Sequence, residues 1–315
     1  MSFSLNLEKT HFAQTVLMVR PAAFGFNSET AESNTFQREL KLSNEEILEQ
    51  ALIEFDGAVD LMRNHGIDVY VVEDSLIPTK PDAIFPNNWI SFHENKTLIL
   101  YPMEALNRRC ERRLEVVLQL QQKFNFTNVI DLSHFESQGK FLEGTGSVVF
   151  DHQSKVAFAV LSSRTNEDVL KELCQRIGYK PFVFRAFDSN GHPVYHTNVV
   201  MCMGDDFVVI CLKAIADEES RADLLKKFAQ LGKKVLEISL EQMNRFAGNM
   251  LLLKDRHGRI KLVLSETAFQ SLAEAQVSFL KSRAELIRFQ IPTVEFIGGG
   301  SARCMLAEVF FLGIY

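Results

Sequence analysis

The chain has 315 residues, of which 46% are hydrophobic, and a formal net charge of -6. That length and apolar content suffice for a large buried core, while the acidic balance leaves no electrostatic footprint for nucleic acid. Every apolar run is shorter than a bilayer span, and residues 1–10 lack the basic and apolar regions of a secretory leader.

The elements follow in chain order. A β-branched run predicts a strand over 15–19, and a capped amphipathic stretch predicts a helix over 43–65, where Ser43 stands three residues before Glu46. Strands are predicted over 68–72 and 97–101, then a helix over 104–123. Within that helix Arg108, Arg109, Arg112 and Arg113 alternate with Glu111 and Glu115 and read as a solvated face. Runs 147–150 and 156–160, joined by a turn at 151–154, predict a hairpin, and Asn166 opens a helix over 166–177. Strands over 199–203 and 207–211 precede a helix over 220–231, and a strand over 261–264 precedes a helix over 266–280. This rhythm of strand pairs punctuated by helices, with no low-complexity linker, predicts one α/β domain over 1–315. Doubly wound α/β chains would alternate single strands with helices instead.

Five cysteines, an odd number and widely spread, offer neither a disulfide framework nor a zinc spacing, so reduced thiols in a cytoplasmic protein are expected. Cys304 stands apart from the others. Gly298, Gly299 and Gly300 precede it and allow the backbone close to a ligand, and Arg303 places a cation beside it. It is either a placed nucleophile or a buried structural thiol. As a nucleophile it requires an acid–base partner, because a free thiol with a pKa of about 8.5 is mostly protonated at neutral pH.

Of the eight histidines, seven sit in polar or helix-end contexts. His196 leads into the apolar run 199–203, where strand alternation would put His196 and Asn198 on one face and Thr197 on the other. A ligand-facing histidine and one bonded within the core are both compatible with that placement. Glu143, flanked by Leu142, Gly144 and Gly146, could grip a cationic or amide N–H group or act as a cap. Asp82, Asn87 and Asn88 form a polar cluster before Trp89, or simply a turn. Arg164 carries a planar fork suited to a carboxylate, with a surface ion pair as the competing reading.

Taken in order, these motifs resemble the guanidine-modifying (pentein) superfamily of amidinotransferases, arginine deiminases and dimethylarginine dimethylaminohydrolases. The stretches that carry the resemblance are Pro81-Asp82-Ala83-Ile84-Phe85, Leu142-Glu143-Gly144, Leu161-Ser162-Ser163-Arg164-Thr165-Asn166, His196-Thr197-Asn198 and the run from Gly298 to Cys304. The resemblance implies a five-bladed α/β propeller of ββαβ modules around a central channel. It further implies Cys304 as nucleophile, His196 as general acid and base, Glu143 as ligand of the substrate's terminal nitrogens, Arg164 as carboxylate anchor, and Asp82 and Arg303 as further substrate contacts. No metal or organic cofactor is implied.

Where arginine-processing relatives usually place carboxylates, this chain has Asn198 and Asn88, with Asn87 beside the latter. A guanidinium favours carboxylates, whereas a neutral ureido group requires donors as well as acceptors, which asparagine supplies. A carboxylate buried against a neutral ligand would be left unpaired at a cost of several kcal/mol. The chain therefore resembles the citrulline-hydrolysing subgroup. The expected reaction begins with a Cys304 thiolate beside protonated His196 and passes through an S-carbamoyl intermediate to ornithine, ammonia and carbon dioxide. Acylated citrulline, a guanidino substrate turned over by an arginine deiminase, a dimethylarginine dimethylaminohydrolase or an amidinotransferase, and a non-catalytic binding protein of the same fold are the alternatives. A small-molecule ligand is expected, with neither nucleic acid nor membrane as partner. The number of copies is left open, a homo-oligomer included.

Overall fold

A strand buried along nearly its whole length, β1 (Thr15–Arg20), runs parallel to β2 (Asp68–Glu73). Parallel neighbours need a crossover, and the helix Asn44–Asn64 supplies it. Ser43 and Glu46 close its N-terminus as a capping box, and Ile47, Ala51, Phe55, Ala58, Val59 and Met62 bury one stripe. The computed structural model describes residues 11–310, so residues 1–10, where a leader was sought, lie outside the described residues.

The same unit then recurs with an antiparallel partner strand added in front. β3 (Ile90–His93) pairs antiparallel with β4 (Thr97–Leu100), and the helix Leu114–Phe124 leads to β5 (Asn128–Asp131), parallel to β4. β6 (Val148–Asp151), β7 (Val156–Val160), helix Glu167–Ile177 and β8 (Lys180–Phe184) repeat the arrangement. So do β9 (Met201–Met203), β10 (Phe207–Ile210), helix Glu218–Gln230 and β11 (Lys234–Glu237). β12 (Leu251–Lys254) and β13 (Ile260–Ser265) are followed by helices Glu266–Ser271 and Glu274–Lys281 and by β14 (Glu285–Phe289). Finally β15 (Ala307–Val309) pairs antiparallel with β1, Thr15 opposite Val309, so the first and last described strands complete the first unit. Among the described residues the result is five three-stranded sheets, each with one antiparallel and one parallel pairing.

Several expectations are corrected. The stretch 199–203 is a strand only over Met201–Met203, because Thr197–Val200 winds into a helical turn; Thr197 Oγ1 donates to the Ser147 carbonyl at 2.6 Å and accepts the Val160 N–H at 2.7 Å. The stretch 104–123 divides into Leu106–Arg109 and Leu114–Phe124, and Arg108 and Glu111 are buried rather than solvated. The expected helix over 266–280 breaks where Leu272 turns extended. Strands such as β5 and β11 were not predicted, since their mostly exposed residues show no apolar alternation.

One feature positions the site. A short turn precedes the leading strand of every unit: Pro86–Asn88 before β3, Gly144–Ser147 before β6, Thr197–Val200 before β9, residues 245–248 before β12 and Ala302–Met305 before β15. All five cysteines are free, and among the described residues no helix is long and apolar enough to cross a membrane.

Candidate active site

Cys304 sits in the turn Ala302–Met305 and is 5% exposed. The helix Pro292–Gly298 ends on Gly299 at φ 63, a left-handed conformation natural to glycine. A Cβ on Gly298 would stand 2.7 Å from the Phe85 ring, and one on Gly299 2.7 Å from Asn34 Nδ2. The glycines thus let the cysteine turn lie against Phe85 and the segment 21–42. The Sγ of Cys304 accepts from Asn249 Nδ2 at 3.3 Å and from Asn198 Nδ2 at 3.5 Å.

His196 is the extended residue that starts the turn Thr197–Val200, and its Nε2 lies 2.9 Å from Glu143 Oε2. Both are buried. Burial alone would raise the Glu143 carboxyl, but the Arg164 guanidinium, the His196 bond and Arg108 outweigh it and hold the group well below the usual carboxylate range. Burial pushes His196 down to about 4, with Glu143 opposing the shift and Arg164 and Arg108 adding to it. The resting imidazole is therefore neutral, donates through Nε2–H to the ionised Glu143 and keeps Nδ1 free as a base. The expected protonated His196 would need the imidazole to gain a proton against this burial. Among the described residues the sulfur's hydrogen-bond partners are the two asparagines, not His196.

Glu143 is also less open than expected. Its Oε1 accepts the Glu104 N–H at 3.1 Å, and Arg164 Nη1 reaches Oε2 at 3.5 Å. Arg164 is buried, with Nε and Nη2 bonded to Ser33 Oγ at 3.0 and 2.6 Å, Nη2 to the Thr30 carbonyl at 3.1 Å, and its guanidinium 4.9 Å from the Tyr195 ring centre. Arg303 points elsewhere: it donates to the Leu306 carbonyl and to Glu308, and lines a separate cavity with His152 and Cys202. His196 and Asn198 do not share a strand face, because helical winding replaces the alternation, yet Asn198 still reaches the sulfur.

Asp82, Asn88, Arg108, Arg164, Tyr195, His196 and Cys304 line one cavity. Asn87 is fully buried in the neighbouring turn, and neither polar atom of its side chain has a partner among the described residues. Among the described residues, Asp82 Oδ2 accepts from Asn27 at 2.7 Å while Oδ1 has no partner; Asn88 Oδ1 accepts from Arg108 Nη1 at 2.8 Å while Nδ2 has none; Asn198 Oδ1 has none either. Buried polar atoms are ordinarily satisfied, so the open atoms of Asp82 and Asn88 mark where a polar ligand belongs in this cavity, while Asn198 lines the cavity that Arg303 lines.

Arg108 and Asn249 escaped the sequence reading. The charge alternation around Arg108 hid its inward turn. Asn249 carried a readable signal, since it stands just before a leading strand as Glu143 and His196 stand just before their turns. Among the described residues no group of three or more His, Cys, Asp or Glu could hold a metal ion.

The fold and this site define a hydrolase of C–N bonds in the guanidino-modifying pentein superfamily. Residues 20–311 match the family model described as N,N dimethylarginine dimethylhydrolase, eukaryotic, and the chain belongs to that family. A comparison with curated protein sequences returns no match. Among solved structures, the substrate-bound N-terminal domain of ArgZ, described as an arginine dihydrolase from the ornithine–ammonia cycle in Cyanobacteria, is similar at 15% identity and TM-score 0.71, covering 94% of this chain and 99% of that one. AgrE in a binary complex with L-arginine is similar at 16% identity and TM-score 0.72, covering 94% of this chain and 40% of AgrE. A dimethylarginine dimethylaminohydrolase adduct with S-methyl-L-thiocitrulline is similar at 14% identity and TM-score 0.65, covering 94% and 99%.

Proposed function

We propose that the chain hydrolyses the ureido group of citrulline or a close derivative, with Cys304 as nucleophile, His196 as general acid and base, and Glu143 orienting the imidazole. One observation carries this reading. Arg108 holds Asn88 Oδ1, so the amide turns a free N–H donor into the cavity. A guanidinium has only N–H groups to offer such a donor, whereas a ureido oxygen accepts from it. Asp82 Oδ1 and Asn198 Oδ1 remain to accept the substrate's N–H groups.

The reaction starts from thiol and neutral imidazole. His196 Nδ1 takes the thiol proton as Sγ bonds to the ureido carbon, and the oxygen that gains charge lies against the Asn88 donor. The tetrahedral adduct collapses, the C–N bond to the terminal nitrogen breaks, and His196 returns its proton so that ammonia leaves. His196 then takes a proton from water. The hydroxide adds to the S-carbamoyl carbon, the C–S bond breaks, and the thiol is restored. The carbamate released decomposes to the amine and carbon dioxide. Arg164 would anchor the substrate carboxylate once its bonds to Ser33 and Thr30 are exchanged, and Asn87 would complete the polar wall; Arg303 acts only through Glu308 and the cysteine turn.

The wider reading is a single catalytic unit over 1–315, its five sheets arranged as blades of an α/β propeller around the five turns, in the cytoplasm. The pairing of β15 with β1 supports it. A guanidino substrate is the second reading, favoured by the open carboxylate oxygen of Asp82 and by the arginine-related structural neighbours. Ammonia release from citrulline and arginine assayed in parallel separates the two. Preference for citrulline is expected, and preference for arginine would overturn the ureido reading.

A further inference from the structure

We propose that Asn249 is a positioning residue that aims an amide N–H at the Cys304 sulfur and, through the same side chain, ties the cysteine turn to the histidine turn. The proposal rests on Cys304 being the nucleophile and is independent of whether the substrate is ureido or guanidino.

The orientation of the Asn249 amide is fixed at both ends. Its Oδ1 accepts the backbone N–H of Arg303 at 2.9 Å, and its Nδ2 donates to the backbone carbonyl of Asn198 at 3.1 Å. A backbone N–H can only donate and a carbonyl can only accept, so the amide cannot be reversed without losing both bonds. The second hydrogen on Nδ2 is left for Cys304 Sγ, 3.3 Å away. A protonated thiol finds an acceptor in the same side chain, since Sγ lies 3.7 Å from Oδ1. Asn249 therefore has a bond to offer the sulfur in either protonation state, and the bond to the anion is the stronger. Asn198 also reaches the sulfur, but among the described residues its own Oδ1 has no partner, so no protein donor fixes the direction of its amide.

The backbone that carries Asn249 is shaped for this contact. Phe246 holds φ 62, a left-handed conformation that a bulky residue rarely adopts, and its ring lies 5.4 Å from that of Phe36. A Cβ on Gly248 would stand 2.3 Å from the Val199 carbonyl oxygen, so only glycine lets this turn close on the histidine turn. Asn249 itself is fully buried.

The test is alkylation of Cys304 by iodoacetamide, followed by peptide mass from about pH 5 to about pH 10 in the wild type, Asn249→Ala and Asn249→Asp. Loss of the amide donor should slow alkylation at neutral pH by about tenfold in Asn249→Ala and displace the pH profile upward by about one unit. Asn249→Asp should be displaced further, because a carboxylate would face the developing thiolate. That variant is decisive, since aspartate can still accept the Arg303 N–H. A merely structural role predicts an Asn249→Asp profile like the wild type, and that result overturns the proposal. A uniform slowing with an unmoved profile reports altered access to the site and overturns it as well. Should Asn249→Asp fail to fold by thermal melting, Asn249→Ser decides on the same profile, an unchanged profile again being fatal. No substrate enters the measurement, so its outcome is separate from that of the citrulline assay.

Discussion

His196 and Glu143, separated by 53 positions in sequence, meet at 2.9 Å through Nε2 and Oε2 in a region where both are buried. The carboxylate spends its nearest oxygen on the imidazole, and the imidazole spends its proton on the carboxylate. What remains is the lone pair at Nδ1 of an imidazole held neutral by burial, the atom proposed above as the base.

The first prediction concerns acid stability. Burial pushes His196 down to about 4 and His93 down to about 3, the latter also through the Lys155 charge. The unfolded chain takes up these protons near the ordinary histidine value of about 6.5, and the folded protein does not. Their contribution to stability is therefore full above that value and is lost as pH falls from about 6.5 toward the folded values, by up to about 1.4 kcal/mol per pH unit per histidine. Glu143 adds a loss only at lower pH still, because its folded value is depressed below the ordinary carboxylate range. Denaturant unfolding as a function of pH should show this slope, and His93→Gln should flatten it. Equal slopes in the two proteins would refute the assignment.

Gly146 should not tolerate a side chain. A Cβ there would stand 2.4 Å from Asn88 Nδ2 and 2.7 Å from His196 Nδ1, displacing the proposed oxyanion donor and the proposed base together. Gly146→Ala is expected to lower kcat by about a hundredfold or more, with a stability loss of about 1–3 kcal/mol from overpacking. Steady-state kinetics alongside thermal melting distinguish the two effects, and near-normal kcat would remove Asn88 and His196 from the reacting centre.

Substrate preference should follow charge. Asn88→Asp would place a second oxygen where the free Nδ2 now stands, and Asn198→Asp would put a carboxylate beside the sulfur. Each is expected to lower kcat/KM for citrulline by about tenfold or more relative to arginine, since Asn88→Asp removes the donor to a ureido oxygen and Asn198→Asp adds a charge that favours a cationic guanidinium over a neutral ureido group. The ratio of the two kcat/KM values is the measurement, and an unchanged ratio in both variants would count against the electrostatic argument.

Arg108 should matter for stability as well as for the site. Its Nε and Nη2 bond both oxygens of Glu111 at 2.8 and 3.0 Å, and both residues are buried. Burial pushes Glu111 up to about 7 even with Arg108 opposing it. Arg108→Met leaves that carboxyl unpaired and should cost about 3–5 kcal/mol, of which the double variant with Glu111→Met recovers a large part. Chemical denaturation of the single and double variants tests this, and a loss below about 1 kcal/mol would contradict the pairing.

The sequence by itself determined which residues stand out as candidates by local pattern. Glu143 and His196 stand beside short turns that precede apolar strands, and Cys304 lies within such a turn after three glycines, so chain-local pattern was enough to single them out. The strand–strand–helix rhythm came from the same local periodicity. Only the tertiary structure decided the rest, because it depends on groups far apart in sequence. Asn249 meets Cys304 across 55 positions, and Asn88 is oriented by an arginine 20 positions away that local charge alternation assigns to solvent. The inward turn of Arg108, the turn of Arg303 away from the Cys304 cavity toward Glu308 and the neutral state of His196 follow from which buried charges lie nearby. Burial and partner geometry are properties of the assembled units, and no stretch of chain encodes them alone.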